Sequence, residues 1–238
     1  MLALAAFSSP ARAVFWDDEN LIDYNGNPTG YVLNIGEKTT DFSATYTRGF
    51  SDELTLGTNP ALDLLLIGNF HFKYSLLKEE NNKPALALDI SAIRGFIMDT
   101  LSDEILKALS DYMDSLETNL YLYSVAFGIS GNISPETYWH CSAGFEYGEF
   151  IWDYHIKDGQ EDPFEGTGLE DVTGDYTGFY AAFGAERRLS RSLRWIVGAK
   201  FATASWDFSF GISLIWAASR TFRLELGLPP KINCYWRY

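Results

Sequence analysis

In Phe70-His71-Phe72-Lys73-Tyr74-Ser75-Leu76 every even position is apolar and every odd position polar. A strand turns successive side chains to opposite faces, so this stretch has one apolar face and one polar face; a helix would scatter both. The alternation recurs. Trp206, Phe208, Phe210, Ile212, Leu214 and Trp216 enclose Asp207, Ser209, Gly211 and Ser213. Phe222, Leu224 and Leu226 oppose Arg223, Glu225 and Gly227, and Tyr121, Tyr123, Val125, Phe127 and Ile129 oppose Ser124, Ala126, Gly128 and Ser130.

Worked outward over the chain, the pattern predicts twelve strands, near 29–36, 40–50, 53–58, 68–77, 84–96, 118–131, 136–152, 176–189, 192–204, 206–217, 219–228 and 231–238. Ten is the alternative count, because 53–58 is short and Leu62 to Ile67 breaks the alternation. Short connections rich in Ser, Asn, Asp, Gly, Pro or charge alternate with longer ones at 58–68, 97–117 and 153–175, as in an up-and-down barrel with turns at one end and loops at the other. With twelve strands both ends of the barrel fall on the short-turn side. Hydrophobic residues make up 47% of the chain, yet mean hydropathy is only −0.10, as fine-grained alternation requires. No run approaches the roughly 18–20 apolar residues of a membrane-spanning helix, whereas several segments reach the roughly 9–11 of a tilted membrane-spanning strand. The expected fold is all-β: a transmembrane antiparallel up-and-down β-barrel of residues 29–238 with a short helix in one extracellular loop. A soluble sandwich or lipocalin-like barrel is the rival, but its apolar face would point inward.

At the start, MLALAAFSSPARA ends in Ala11-x-Ala13 and is followed by Asp17, Asp18, Glu19 and Asn20. A short apolar run before such an ending reads as the remnant of a secretion signal over 1–13. The mature chain is then expected to begin near Val14, with 14–28 a periplasmic segment. Cys141 and Cys234, the two cysteines, fall on strands that are not neighbours and are expected to be free thiols.

The end of the chain, Lys231-Ile232-Asn233-Cys234-Tyr235-Trp236-Arg237-Tyr238, resembles the C-terminal assembly signal of bacterial outer-membrane barrels. Lys231, Trp236 and Tyr238 fit its polar, aromatic and terminal aromatic positions; Asn233 stands where that family usually has Gly. The resemblance implies residence in the bacterial outer membrane, with outer-membrane lipid and the barrel-assembly machinery as partners.

Charge is uneven. Of a net −14, the stretch 97–118 holds six acids against Lys107, a net of −5, and 149–175 holds nine against Lys157, a net of −8. The rest is nearly neutral, which excludes nucleic acid as a natural partner and leaves a protein partner at the acidic loops as a candidate. Asp158-Gly-Gln-Glu-Asp lacks calcium-loop spacing, the three histidines are scattered, and no Cys-x-x-Cys or phosphate loop occurs, so no metal and no cofactor are expected. Within 97–117, Leu101, Ile105, Leu109, Tyr112 and Leu116 recur every three to four residues after Ser102, which marks an amphipathic helix with Ser102 as N-cap and a lid as its expected role.

Projecting the strands gives an interior lined by His71, Lys73, Asp89, His140, Glu146, Glu186, Arg188, Arg194, Lys200, Asp207, Arg223 and Glu225. Mixed signs favour salt bridges in a filled interior or a narrow polar pore over a ring of one charge. His140-x-Ser142, with Glu146 on the same face, resembles the nucleophile arrangement of outer-membrane phospholipases and lipid A deacylases. Trp139, Cys141, Ala143 and Phe145 take the apolar face, however, which turns His140 and Ser142 inward. The expected function is a small channel or transport barrel for a polar solute; a non-transporting, partner-binding barrel is the alternative, and a lipid-directed hydrolase the minor one.

Overall fold

Alternating segments make strands here, and β-branched and aromatic residues on their apolar face fix each strand's orientation. The computed structural model describes residues 33, 38–41, 45–64, 67–80, 83–159, 172–203, 207–219 and 221–237. Among the described residues twelve strands and two helices follow in order: β1 Lys38–Asp41, β2 Tyr46–Gly49, β3 Leu54–Thr58, α1 Pro60–Leu64, β4 Ile67–Leu77, β5 Ala85–Gly95, α2 Phe96–Ala108, β6 Met113–Ser134, β7 Thr137–Ile156, β8 Val172–Ser190, β9 Leu193–Ala202, β10 Asp207–Ala217, β11 Phe222–Leu228 and β12 Lys231–Arg237. Each strand pairs antiparallel with its neighbours in sequence, so the all-β, up-and-down architecture is as expected. β1 also pairs with β12 through Thr39 with Arg237, Thr40 with Trp236 and Asp41 with Tyr235, which brings the two margins of the sheet together as a closed barrel.

The strand at that seam is not the expected one. The 40–50 segment is two strands, β1 and β2, paired to each other from Lys38–Arg48 to Thr40–Tyr46. The alternation runs unbroken through the reversal because Phe42-Ser43-Ala44-Thr45 contains no Gly, Pro or Asn to mark a turn. Of the 29–36 segment only Leu33 is described, and it lies in no strand; it is 1% exposed, and its N–H donates to Thr55 Oγ1 at 2.9 Å. Residues 1–28, with the expected signal and periplasmic segment, lie outside the described residues.

Two other expectations shift. The stretch that breaks alternation after β3 begins with the one-turn helix α1, whose first N–H groups (Ala61 and Leu62) donate to Asn59 Oδ1. The helix expected within 97–117 starts earlier, directly from β5 at Phe96, and ends at Ala108. Gly95 occupies the N-cap with no side-chain cap bond, Ser102 lies buried within the helix, and Leu116 belongs to β6. Met113 and Leu116 stand three apart and the pairing register shifts between Met113 and Ser115, so the sequence keeps a helical spacing where the strand has already begun.

β6, β7 and β8 have 22, 20 and 19 residues, whereas β1 and β2 have four each and β11 and β12 seven each. The wall is therefore tall on one side and low on the other. The connections of eight or more residues, 59–66, 96–112 and 157–171, all leave from the same end of the sheet. Asp114, Glu117, Glu149, Asp153 and Asp175 sit on the tall strands and not in loops.

The apolar residues point outward. Phe70, Phe127, Phe179, Phe183, Phe208, Phe210, Leu226 and Ile232 are all exposed. The buried set is dominated by small, polar and charged side chains, among them Ala87, Ala126, Ser130, Lys73, Arg194 and Glu225, with Ile196 and Ile215 as apolar members. That is the reverse of a soluble barrel, whose apolar face fills its interior. Where large rings do lie inside, glycines on the next strand make room. Tyr180 lies across Gly144 and Tyr176 across Gly148, their register partners; a Cβ on either glycine would stand 2.7 or 2.1 Å from ring carbon.

Candidate functional site in the barrel interior

Parity decides which side chains enter the barrel. Lys73 pairs in register with Asp89, Ser130 with His140, Glu186 with Ile196, Ile196 with Ser213, and Ile215 with Glu225. All of these turn inward, and all are buried. A deeply buried ionic contact joins Arg194 and Glu186, 3.0 Å apart with side chains 0% and 5% exposed. Arg194 also stands 5.9 Å over the Tyr138 ring. On the low side of the wall Tyr235 donates to Glu225 at 2.5 Å, and Arg223 donates to the Ser219 carbonyl at 2.6 Å. On β4 and β5, His71 Nε2 lies 2.8 Å from Asp89 Oδ2.

Lys73, Arg194, Arg223 and Glu225 are at most 2% exposed. A charge withdrawn that far from water persists only when paired and hydrogen-bonded. Lys73 comes from β4 on one side of the wall, and the other three come from β9 and β11, which flank β10, on another, so solvent is excluded from two sides. Leu33 is buried on the same side: its N–H donates to Thr55 Oγ1, and Thr55 pairs in register with Lys73.

A second, wetter layer lies toward the end with the long connections. Lys200 on β9 reaches past β8 to Glu146 on β7, at 3.0 Å, with side chains 29% and 26% exposed. Its ammonium sits 4.2 Å over the Tyr180 ring. The reach is short because β8 presents Gly178 and Ala182, the partners of Glu146 and Lys200, between them.

The interior residues expected from sequence are thus brought together in two groups. Lys73, Asp89, His140, Glu186, Arg194, Arg223 and Glu225 are buried, while His71, Glu146, Arg188 and Lys200 are half-buried. Asp207 occupies an inward register position opposite Ala202, but its side chain lies outside the described residues, as do those of Lys231 and Tyr238. Trp236 is exposed and meets the Phe222 ring at a tilt, with centroids 5.4 Å apart.

His140, Ser142 and Glu146 do share the inner face, but they form no relay. Glu146 is engaged by Lys200, and Ser142 Oγ is buried with no hydrogen-bond partner among the described residues. The His140 ring lies across Gly184, where a Cβ would stand 2.3 Å from Nε2. A serine nucleophile needs a base within hydrogen-bond reach and a third group orienting that base. Neither relation is present here. Cys141 and Cys234 are free thiols on β7 and β12, and among the described residues no cluster of His, Cys, Asp and Glu could hold a metal.

The interior tyrosines went unpredicted. Tyr138, Tyr176, Tyr180 and Tyr235 share parity with the charged residues, and that parity was a signal available to find them. They were passed over because a tyrosine reads as apolar in an alternation pattern, although its hydroxyl suits a polar interior. No family model matches the chain, and no curated protein is significantly similar to it.

Proposed function

We propose that the protein is an outer-membrane β-barrel whose interior is sealed at the level of its buried charges, serving as a binding or anchoring protein and not as an open channel. The observation that carries this reading is the solvent exclusion at Lys73, Arg194, Arg223 and Glu225. A conducting pore needs a continuous water path past its charged groups. Here those groups are withdrawn from water, and Arg194 and Glu225 are held by Glu186 and Tyr235.

The membrane-spanning part of the reading rests on the exposed outer belt of Phe, Leu and Ile, because an apolar patch of that extent on a protein surface marks a partner or a bilayer. Among the described residues no helix is long and apolar enough to cross a membrane, and strands need none. Insertion by the barrel-assembly machinery follows from the resemblance at 231–238. On the tall side, 22 residues in β6 exceed the roughly 9–11 that a bilayer requires. The surplus, with Asp114, Glu117, Glu149, Asp153 and Asp175, then stands above the outer surface as an acidic screen for a partner.

Planar-bilayer recording of the refolded protein tests the seal. The wild type is expected to pass no steady current, and so is a variant lacking 97–108. Steady conductance in the wild type, with the barrel heat-modifiable on a gel, returns the reading to a channel for a polar solute.

A further inference from the structure

We propose that the barrel wall is open beside β10 and that a phospholipid-like amphiphile seats in the opening, its polar group at the exposed strand edge and its chain against the apolar lips. This rests on the membrane-spanning reading above.

The opening follows from unequal strand lengths. β11 stops at Leu228, the partner of Ile212, and Pro229 and Pro230 turn the chain back into β12. β10 continues to Asp207, in register with β9 as far as Ala202. Among the described residues, β10 from Asp207 to Gly211 therefore has β9 on one edge and no strand on the other. The turn cannot extend the ladder, since proline carries no N–H. A cavity of about 270 Å³ lies there. Its lining joins inward-facing Lys200, Ser209 and Ser213 to the wall residues Phe210, Leu228 and Pro229, so one space reaches both the interior and the side of the barrel.

The surroundings select the ligand. Phe208 and Phe210 on one lip, and Leu228 and Ile232 on the other, are exposed outward, which puts the opening within the apolar belt. Backbone N–H and C=O groups left unpaired at that depth find no partner in hydrocarbon. The ester and headgroup oxygens of an amphiphile supply one, while its chain covers the lips. Inside, Gly198, Gly211 and Ser209 leave the passage unobstructed, and the Lys200 side chain, 29% exposed, lines it. The volume is just below the roughly 300–1,000 Å³ of small-molecule sites, so it holds one polar head or one chain segment and not a whole lipid.

The test is photolabelling of the full chain in bilayer nanodiscs that contain phosphatidylcholine with a diazirine beside the acyl ester, followed by peptide mapping. Adducts on Ser209 and Lys200, together with adducts on outward residues such as Phe127 and Phe179, are the expected result. Gly198→Leu narrows the passage at little cost to the wall, because the new Cβ meets only the Phe183 carbonyl oxygen at 3.5 Å; with it the Ser209 and Lys200 adducts are lost and the outward ones persist. Adducts confined to outward residues overturn the side opening and leave the spanning barrel standing. No adducts on either set overturn both.

Discussion

Glycine opposite an interior ring is a recurring solution on β7 and β8, and it makes a sharp demand on single residues. At Gly148 an added Cβ would lie 2.1 Å from Tyr176 Cε1, so Gly148→Val is expected to lower unfolding stability by about 1–3 kcal/mol through overpacking. Combining it with Tyr176→Ala should recover about 1 kcal/mol or more as a coupling term, read from denaturant midpoints in a double-mutant cycle. The ionic pairs differ in the same quantitative way. Glu186→Ala removes the partner of a wholly buried guanidinium and is expected to cost about 3 kcal/mol. Glu146→Ala acts on a pair a quarter exposed and should cost about 1 kcal/mol or less. Equal losses in the two variants would mean that the lower layer is no drier than the upper one. The charged residues of both layers were legible in the sequence from parity alone. Their grouping was not, because depth depends on how each strand is staggered against the next, and alternation says nothing about stagger.

Strand existence could be read from alternation, since one buried and one exposed face impose the period directly. Strand ends were less legible. In β6 to β8 the acidic residues beyond the apolar belt looked like loop, yet the strands continue through them because each has a neighbour to pair with: Leu116 with Tyr154, Thr118 with Trp152, Glu149 with Asp175. The reversal between β1 and β2 carries no Gly, Pro or Asn, and the alternation runs on through it. α2 packs on β6 and touches β4 at the end of the sheet that carries the long connections, and deleting 97–108 removes it without cutting into a strand. That deletion should leave the heat-modifiable gel shift of the barrel unchanged. Loss of the folded band would mean that α2 holds the rim together.

For the molecule as a whole, the inverted distribution of apolar and polar residues is the property on which the functional reading turns. Cys141 and Cys234 test it with native groups, since both occupy outward positions, paired in register with Phe183 and Leu224. In nanodiscs both thiols are expected to resist a charged maleimide and to react with an uncharged one that partitions into lipid. Rapid reaction with the charged reagent would place that outer surface in water.

The seam between β1 and β12 carries one more consequence. Thr39 stands beside Arg237, so the two extremes of the sheet lie within a short linker's reach, and every other pairing is between neighbours along the chain. Refolded without the assembly machinery, such a ring has no privileged starting point. Joining 237 to 38 and cutting the two-residue turn at 191–192 should give a circular permutant that closes the same circle from different ends.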